Sequence, residues 1–513
     1  MEQRRNLVRK MTFGMLLLIS FTVFALIYKL GTNKHTLNSR ASATQIEQTA
    51  TKRALVGVRH FPGYTSDNHT IRNAQEQLLA SGAFLEPPQS WKDRFPYFTV
   101  VRSENTVDIH EDDQRIIDQE IQLIAASGID YIALEVDWIE KETIYNYALN
   151  LYNSSQFKNL LKFSLIVTAE TLENESWRDN YLKRIQDALS DSQYVKTPSG
   201  KPILYMWRFD NLSDSMGKVK AIERMNEFKE ALKNGINQEP YIVMMDLGSR
   251  QAYSSALEYG ANARTSYLGL YASCGKGGAY TSLMADNRNQ WDSYVSSDID
   301  YIPLVTVGMD PRPKSFDKNL FEFGQDPAWC QQGTPQQIAN NVKQALEWVK
   351  HNPQVTGESN TILLAAWMDI TESGWLVPTM EEGNARLNAL SRILGGRIMD
   401  TPISPYKNFP PPKHPQGEIT KLSLNDNSIL KANEPFVVSG TAPMSTRMKV
   451  RLQGERKTID TYFLNGKGTT ASRSFSIELP AVPPGGPYIL TITGADYDVK
   501  YMKVYNINFL DIK

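Results

Sequence analysis

Asp369 and Glu372 stand close together in Asn360–Pro378, NTILLAAWMDITESGWLVP, with Trp367 and Trp375 on either side. Paired carboxyls can share acid and base work on a glycosidic bond, and flat indole rings can stack on sugar faces. That chemistry needs a proton for a poor leaving group and a partner for developing oxocarbenium charge. One carboxyl must stay protonated near neutral pH, so apolar walls or a neighbouring anion must lift its pKa. Trp367, Trp375 and Ile370 supply the walls and Asp369 the anion, so Glu372 is expected to titrate higher than Asp369. An isolated D-x-x-E more often caps a helix, and a Trp is more often core. The surrounding chain therefore decides.

The run Ile362–Trp367 is continuously apolar and too short to span a membrane, so it reads as a strand buried on both faces. Similar runs recur at Leu55–Arg59, Tyr131–Val136, Phe163–Thr168, Ile203–Trp207, Tyr241–Met245, Ala263–Tyr267 and Tyr301–Thr306. Between them lie helical periodicities: Asp113–Ser127, Trp177–Leu189, Lys220–Lys233 and Thr334–Val349, with Glu381–Leu394 after the last strand. The alternation predicts an α/β fold, a (β/α)8 TIM barrel over residues 54–398. A doubly wound sheet is the rival, but no G-x-G-x-x-G follows the first strand. In a barrel, side chains at the C-terminal strand ends face the active site. Those ends carry His60, then Glu135, Asp137 and Trp138, then Glu170, Arg208, Asp246, Tyr267, Asp310 with Arg312, and Asp369 with Glu372. Gathered carboxylates repel and need a reason to be together. These residues, with Trp367 and Trp375, are the candidate substrate contacts around an Asp369–Glu372 catalytic pair.

A chain of 513 residues suits one large and one small domain. A formal net charge of -1 gives no electrostatic footprint for nucleic acid. The six histidines show no metal-ligand spacing, so no structural zinc is expected, and no cofactor. Cys274 and Cys330 form one bridge in an oxidising compartment or stay as two thiols. Residues 1–10 are basic and 11–28 uncharged and apolar, the pattern of a transmembrane signal anchor with the basic tail in the cytoplasm. A cleaved signal is the alternative; Ala41-Ser42-Ala43 has the form of a cleavage site but lies well downstream. Residues 29–53 read as a polar stem, which places the rest outside the cytoplasm. N-x-S/T triplets at Asn68, Asn153, Asn174 and Asn211 permit glycosylation there. Residues 399–417 form a Pro-rich linker, and 418–513 read as a small all-β sandwich domain.

The segment Trp367-Met368-Asp369-Ile370-Thr371-Glu372-Ser373-Gly374-Trp375-Leu376-Val377-Pro378 aligns without a gap to the W-N-E-W-G-E-G-x-Y-L-x-P segment of glycoside hydrolase families 99 and 71. That group includes bacterial proteins labelled WbsX-type glycosyltransferases. Asp118–Trp138, Gly200-Lys201-Pro202-Ile203-Leu204 and Tyr301–Arg312 are also similar to the group's pattern. The resemblance implies Glu372 as general acid and Asp369 as base, with Glu170 contacting sugar. In family 99 the base deprotonates the sugar's own 2-hydroxyl, with net retention; family 71 inverts on α-1,3-glucan. Asp369 followed by Glu372-Ser373 leans toward family 71, while Met368 and Ile370 depart from the usual Asn and aromatic. The implied substrate is an α-linked glycan, with a nucleotide-sugar transferase and an inactive glycan binder as alternatives; no clear nucleotide-binding signal is present. Leu479-Pro480 and Pro483–Gly494 resemble a β-sandwich that accompanies sialate O-acetylesterase-type proteins, without those enzymes' nucleophile segment.

Overall fold

The structure is a computed structural model. It describes residues 53–64, 83–85, 88–101, 107–136, 146–173, 175–246, 255–314, 327–372, 374–406, 420–443, 447–453, 458–464, 472–496 and 499–511. The 11–28 segment and most of the 399–417 linker lie outside these residues. Among the described residues no helix is long and apolar enough to cross a membrane.

The larger part of the described chain is an α/β fold built on a curled, TIM-barrel-like sheet. Its nine strands are β1 (Leu55–His60), β2 (Tyr131–Val136), β3 (Lys162–Thr168), β4 (Ile203–Trp207), β5 (Tyr241–Asp246), β6 (Ala263–Ser266), β7 (Asp300–Tyr301), β8 (Leu304–Thr306) and β9 (Thr361–Ala365). The order is β7-β6-β5-β4-β3-β2-β1-β9-β8, and every pairing is parallel. The expected seventh strand is thus split in two. Only Ile302 and Pro303 separate its halves, because proline has no N–H to offer the ladder. β7 pairs with β6 and β8 with β9, so the sheet's two end strands are neighbours in sequence. The Ile302 N–H donates to Arg264 O at 2.8 Å, and the Leu363 N–H to Pro303 O at 3.0 Å.

Alternation along each strand sorts side chains into two cores. Tyr131, Ala133, Ile166, Tyr205, Val243, Met245 and Leu363 pack together inside the curl. Ile132, Leu134, Val136, Leu165 and Ile242 face the helices. Gly57 leaves room for the Tyr131 ring, since a Cβ there would sit 2.1 Å from its Cζ. The Tyr131 hydroxyl then meets Tyr205 at 2.7 Å and Thr361 at 3.2 Å. That floor is closed by tyrosines.

The outer helices carry the expected signals. α1 (Gln114–Ala126) starts at Asp113, whose carboxylate accepts from the Arg115 N–H, and buries Ile116, Ile117, Glu120, Ile121 and Ile124. α2 spans Lys218–Ile236 and α3 Tyr280–Ser293. α4 (Pro335–His351) has a Thr334–Gln337 capping box and Pro335 at its start. α5 (Ala385–Leu394) stops at Gly395 in the left-handed region.

After β9 the chain does something the sequence did not announce. The strand ends at Ala365, and β10 (Met368–Asp369) pairs antiparallel with β11 (Gly374–Trp375). The carboxylates therefore ride on a small hairpin arm, not on the barrel strand itself.

Beyond residue 420 the chain is all β. β12 (Ser428–Lys431), β14 (Arg447–Gln453), β15 (Thr458–Leu464), β17 (Gly485–Asp496) and β18 (Val499–Leu510) form a sheet in the order β12-β18-β17-β14-β15. β13 (Phe436–Pro443) and β16 (Ser472–Leu479) form an antiparallel pair. Val438, Phe475 and Ile477 from the pair share a core with Val450, Leu452, Leu490, Ile492, Ile507 and Phe509 from the sheet.

Candidate active site

The site grows from the inward parity of the strands. Arg59 is two residues above Gly57 on β1, and Glu135 is two above Ala133 on β2. Both are buried. The Arg59 guanidinium bonds Asp369 Oδ2 at 3.0 Å and lies 4.1 Å over the Tyr267 ring. The Tyr267 hydroxyl donates to Glu135 Oε2 at 2.9 Å. Lys314 Nζ donates to Glu372 Oε2 at 2.5 Å. Trp207, partly exposed, stacks on Tyr267 with 4.2 Å between ring centroids. Two cations therefore face three carboxyls across one tyrosine.

The hairpin arm is fixed from several sides. Arg94 donates to Ile370 O at 3.0 Å and to Asp310 Oδ2 at 2.6 Å. Asp310 also takes Arg312 Nη2 at 2.7 Å, and its own N–H donates to Glu372 O at 2.6 Å. The Tyr64 hydroxyl meets Thr371 Oγ1 at 2.9 Å. Gly374 sits at φ +116°, and a Cβ there would lie 2.7 Å from Gly308 N. Only glycine accepts both the conformation and the approach.

Burial decides the proton affinities. It pushes the Glu135 carboxyl up to about 7, against the pull of Arg59 and of the Tyr267 hydrogen bond. It also lifts Glu372; Lys314 opposes the shift and Asp369 adds to it, and the net direction is up. For Arg59 burial disfavours the charge, but Tyr267, Asp369, Glu135 and Glu372 outweigh it. For Lys314 burial likewise disfavours the charge, and Glu372 with Asp369 reverses the sign. Two carboxyls of raised proton affinity beside an arginine-paired aspartate are the ingredients of acid–base work.

The sequence-derived candidates divide. Asp369, Glu372, Glu135 and Tyr267 are brought together. Asp310 and Arg312 support the arm, the two arginines holding the Asp310 carboxyl low despite its burial. Arg312 also lies 3.4 Å over the Trp329 ring. Asp246 is bound by Arg264, and Glu170 by Asn211 and, at 3.3 Å, Arg208. Asp137 and Trp138 lie outside the described residues. Three candidates need correction. His60 is not in this site: strand parity turns it opposite to Arg59, where its Nε2 is 2.9 Å from Glu111 and 3.9 Å from Glu120. Trp367 and Trp375 are wholly covered and offer no face to a sugar. Arg386 lies 4.4 Å and Arg94 5.4 Å over the Trp375 ring. Partly exposed rings in this region include Trp91, Trp207, Tyr271 and Trp329.

Sequence reasoning missed Arg59, Arg94 and Lys314. Arg59 carried a signal, a charge at the inward parity of an apolar strand, which the choice of His60 passed over by one residue. Lys314 and Arg94 reach in from short 3-10 turns outside the sheet and carried none. Cys274 and Cys330, left open above, form a disulfide.

No protein-family model matches the sequence, and no curated protein matches it. Among solved structures the chain is similar to a glycoside hydrolase-like protein, at 11% identity and TM-score 0.44, over 67% of this chain and 94% of that one. It is similar to the GH99 endo-α-mannosidase from Bacteroides thetaiotaomicron at 12% identity and TM-score 0.42, over 67% and 97%. It is similar to an endo-β-1,4-mannanase from Thermotoga petrophila at 9% identity and TM-score 0.31, over 78% and 96%. Likeness of this size assigns neither family nor activity.

Proposed function

We propose that this chain is a glycoside hydrolase acting on an α-linked glycan of the α-mannan or α-1,3-glucan type. The observation that carries the reading is the buried group Arg59–Asp369, Lys314–Glu372 and Glu135–Tyr267, set above the C-terminal ends of parallel strands. Taking β7 and β8 as one strand broken at Pro303 makes the curl a closed (β/α)8 barrel, whose active sites lie at that end. Asp369 serves as base, held by the Arg59 guanidinium at 3.0 Å, and Glu372 as acid, its proton affinity raised by burial. Lys314 then takes up the charge that appears on Glu372 once its proton has left. The all-β C-terminal region is read as an accessory sandwich domain. The Cys274–Cys330 bridge supports an extracytoplasmic location behind a signal anchor at residues 11–28.

The test is incubation with α-mannan, α-1,3-glucan and nucleotide-sugars, read by mass spectrometry. Release of sugars without donor supports hydrolysis, and donor consumption indicates a transferase. Binding without turnover indicates an inactive binder. Glu372→Gln is expected to lose turnover on natural glycans while keeping part of it on aryl glycosides with activated leaving groups. Equal loss on both substrates transfers the acid role away from Glu372, and Glu135→Gln is then the variant to compare.

A further inference from the structure

A second buried cluster lies behind the site, on the outward face of β1. His60 ends β1, Glu111 precedes α1, and Glu120 lies in the middle of α1. One ligand-capable atom from each lies within 4.8 Å of the others, and all three side chains are 0–2% exposed. His60 Nε2 and Glu111 Oε1 face each other as an ion pair at 2.9 Å, while among the described residues His60 Nδ1 and both oxygens of Glu120 have no hydrogen-bond partner. Buried polar atoms left in this state cost stability unless something engages them.

We propose that His60, Glu111 and Glu120 bind one divalent transition-metal cation, Zn²⁺ in preference to Mn²⁺. Geometry and donor set each favour it, and a divalent cation balances two carboxylates beside a neutral imidazole. Metal bonds of roughly 2.0–2.1 Å in tetrahedral geometry set ligand atoms ~3.3 Å apart. The His60 Nε2 distances of 2.9 Å to Glu111 and 3.9 Å to Glu120 bracket that spacing. One imidazole and two carboxylates suit zinc or manganese. Calcium needs about six to eight oxygens, and magnesium keeps several waters, neither of which this enclosure provides. The surroundings are built as an outer shell. The Tyr147 hydroxyl donates to Glu111 Oε2 at 2.5 Å, leaving Oε1 for the cation. The buried Trp367 indole N–H faces Glu120. Fixing a ligating carboxylate through its second oxygen is the usual role of such donors. The cation would join β1, α1 and the loop before it one residue from Arg59, and so stiffen the support of Asp369.

The experiment uses the full, tag-free chain, stripped with EDTA and titrated with ZnCl₂ or MnCl₂ at pH 7 by calorimetry, with melting followed in parallel. One equivalent of Zn²⁺ is expected to bind and raise Tm. Glu120→Gln should weaken binding by at least ~100-fold and Tyr147→Phe by ~10-fold, the range seen when ligands and their supports are lost. Absence of uptake by the stripped wild type overturns the proposal, as does unchanged affinity in Glu120→Gln. Should Glu120→Gln not fold, the wild-type titration and Tyr147→Phe decide alone. None of these readouts involves sugar turnover, so failure here leaves the hydrolase reading standing.

Discussion

Arg59 shows how much one side chain's parity decides. It is fully buried, and its cation is paired by Asp369 and covered by the Tyr267 ring. Removing one member of a buried pair strands the other, at a cost of about 3–5 kcal/mol. Arg59→Met should therefore lower unfolding free energy by that order in urea titration; an unchanged midpoint would show that Asp369 does not depend on it. Glu135 makes a pH prediction. Its carboxyl ordinarily titrates near 4.5 and sits at about 7 in the fold. Between those values the folded state holds a proton that the unfolded state has released. The contribution of Glu135 to stability is thus greatest below pH 4.5 and falls as pH rises through 7. Glu135→Gln should flatten that decline, measured as the urea midpoint at pH 5 and pH 8. An identical slope in wild type and variant would contradict the assignment. At this scale the sequence told residue types but not directions. Asp369 and Glu372 were legible because their motif is contiguous, whereas His60 was misplaced because a one-residue step reverses the face on which a strand side chain lies, and Trp367 because the strand ends at Ala365, before it.

The elements were more legible than the contacts. Continuous apolar runs located the strands to within a residue or so at most ends, because parallel strands buried on both faces leave no other reading. The exceptions have local causes: Pro303 splits one run, and the turn into β10 and β11 takes Asp369 off the expected strand. That turn was unreadable because its geometry depends on Gly308, more than sixty positions earlier in sequence. Gly374→Ala tests the arm directly. The new Cβ meets the Gly308 backbone, and φ +116° is strained for any L side chain. A loss of roughly 1–3 kcal/mol is expected, with activity falling further than Tm alone would predict, because the arm carries both carboxyls. Wild-type melting and turnover in the variant would remove the arm from the account.

Across the whole molecule, the disulfide connects fold and compartment. Cys274 and Cys330 are separated by 56 positions and tie the loop after β6 to the short strand Trp329–Cys330. That strand pairs with Lys276–Gly278, and the Cys330 N–H donates to Met309 O at 2.8 Å, close to Asp310. The bridge thus braces the side of the site that holds Lys314. Closing a loop of that length removes unfolded-state entropy worth about 4 kcal/mol in the chain-entropy account. Replacing both cysteines by serine should cost stability of that order in urea titration. The same spacing in a reducing compartment would give no such gain, since the thiols would stay apart. Chain exported to an oxidising compartment should therefore show no thiol reactive to Ellman's reagent in denaturant, and chain kept in the cytoplasm should show both. If the serine pair melts with the wild type, the bridge contributes nothing and the location proposed from it loses its support. If the exported chain is fully reduced, the segment at residues 11–28 does not deliver these domains to an oxidising space.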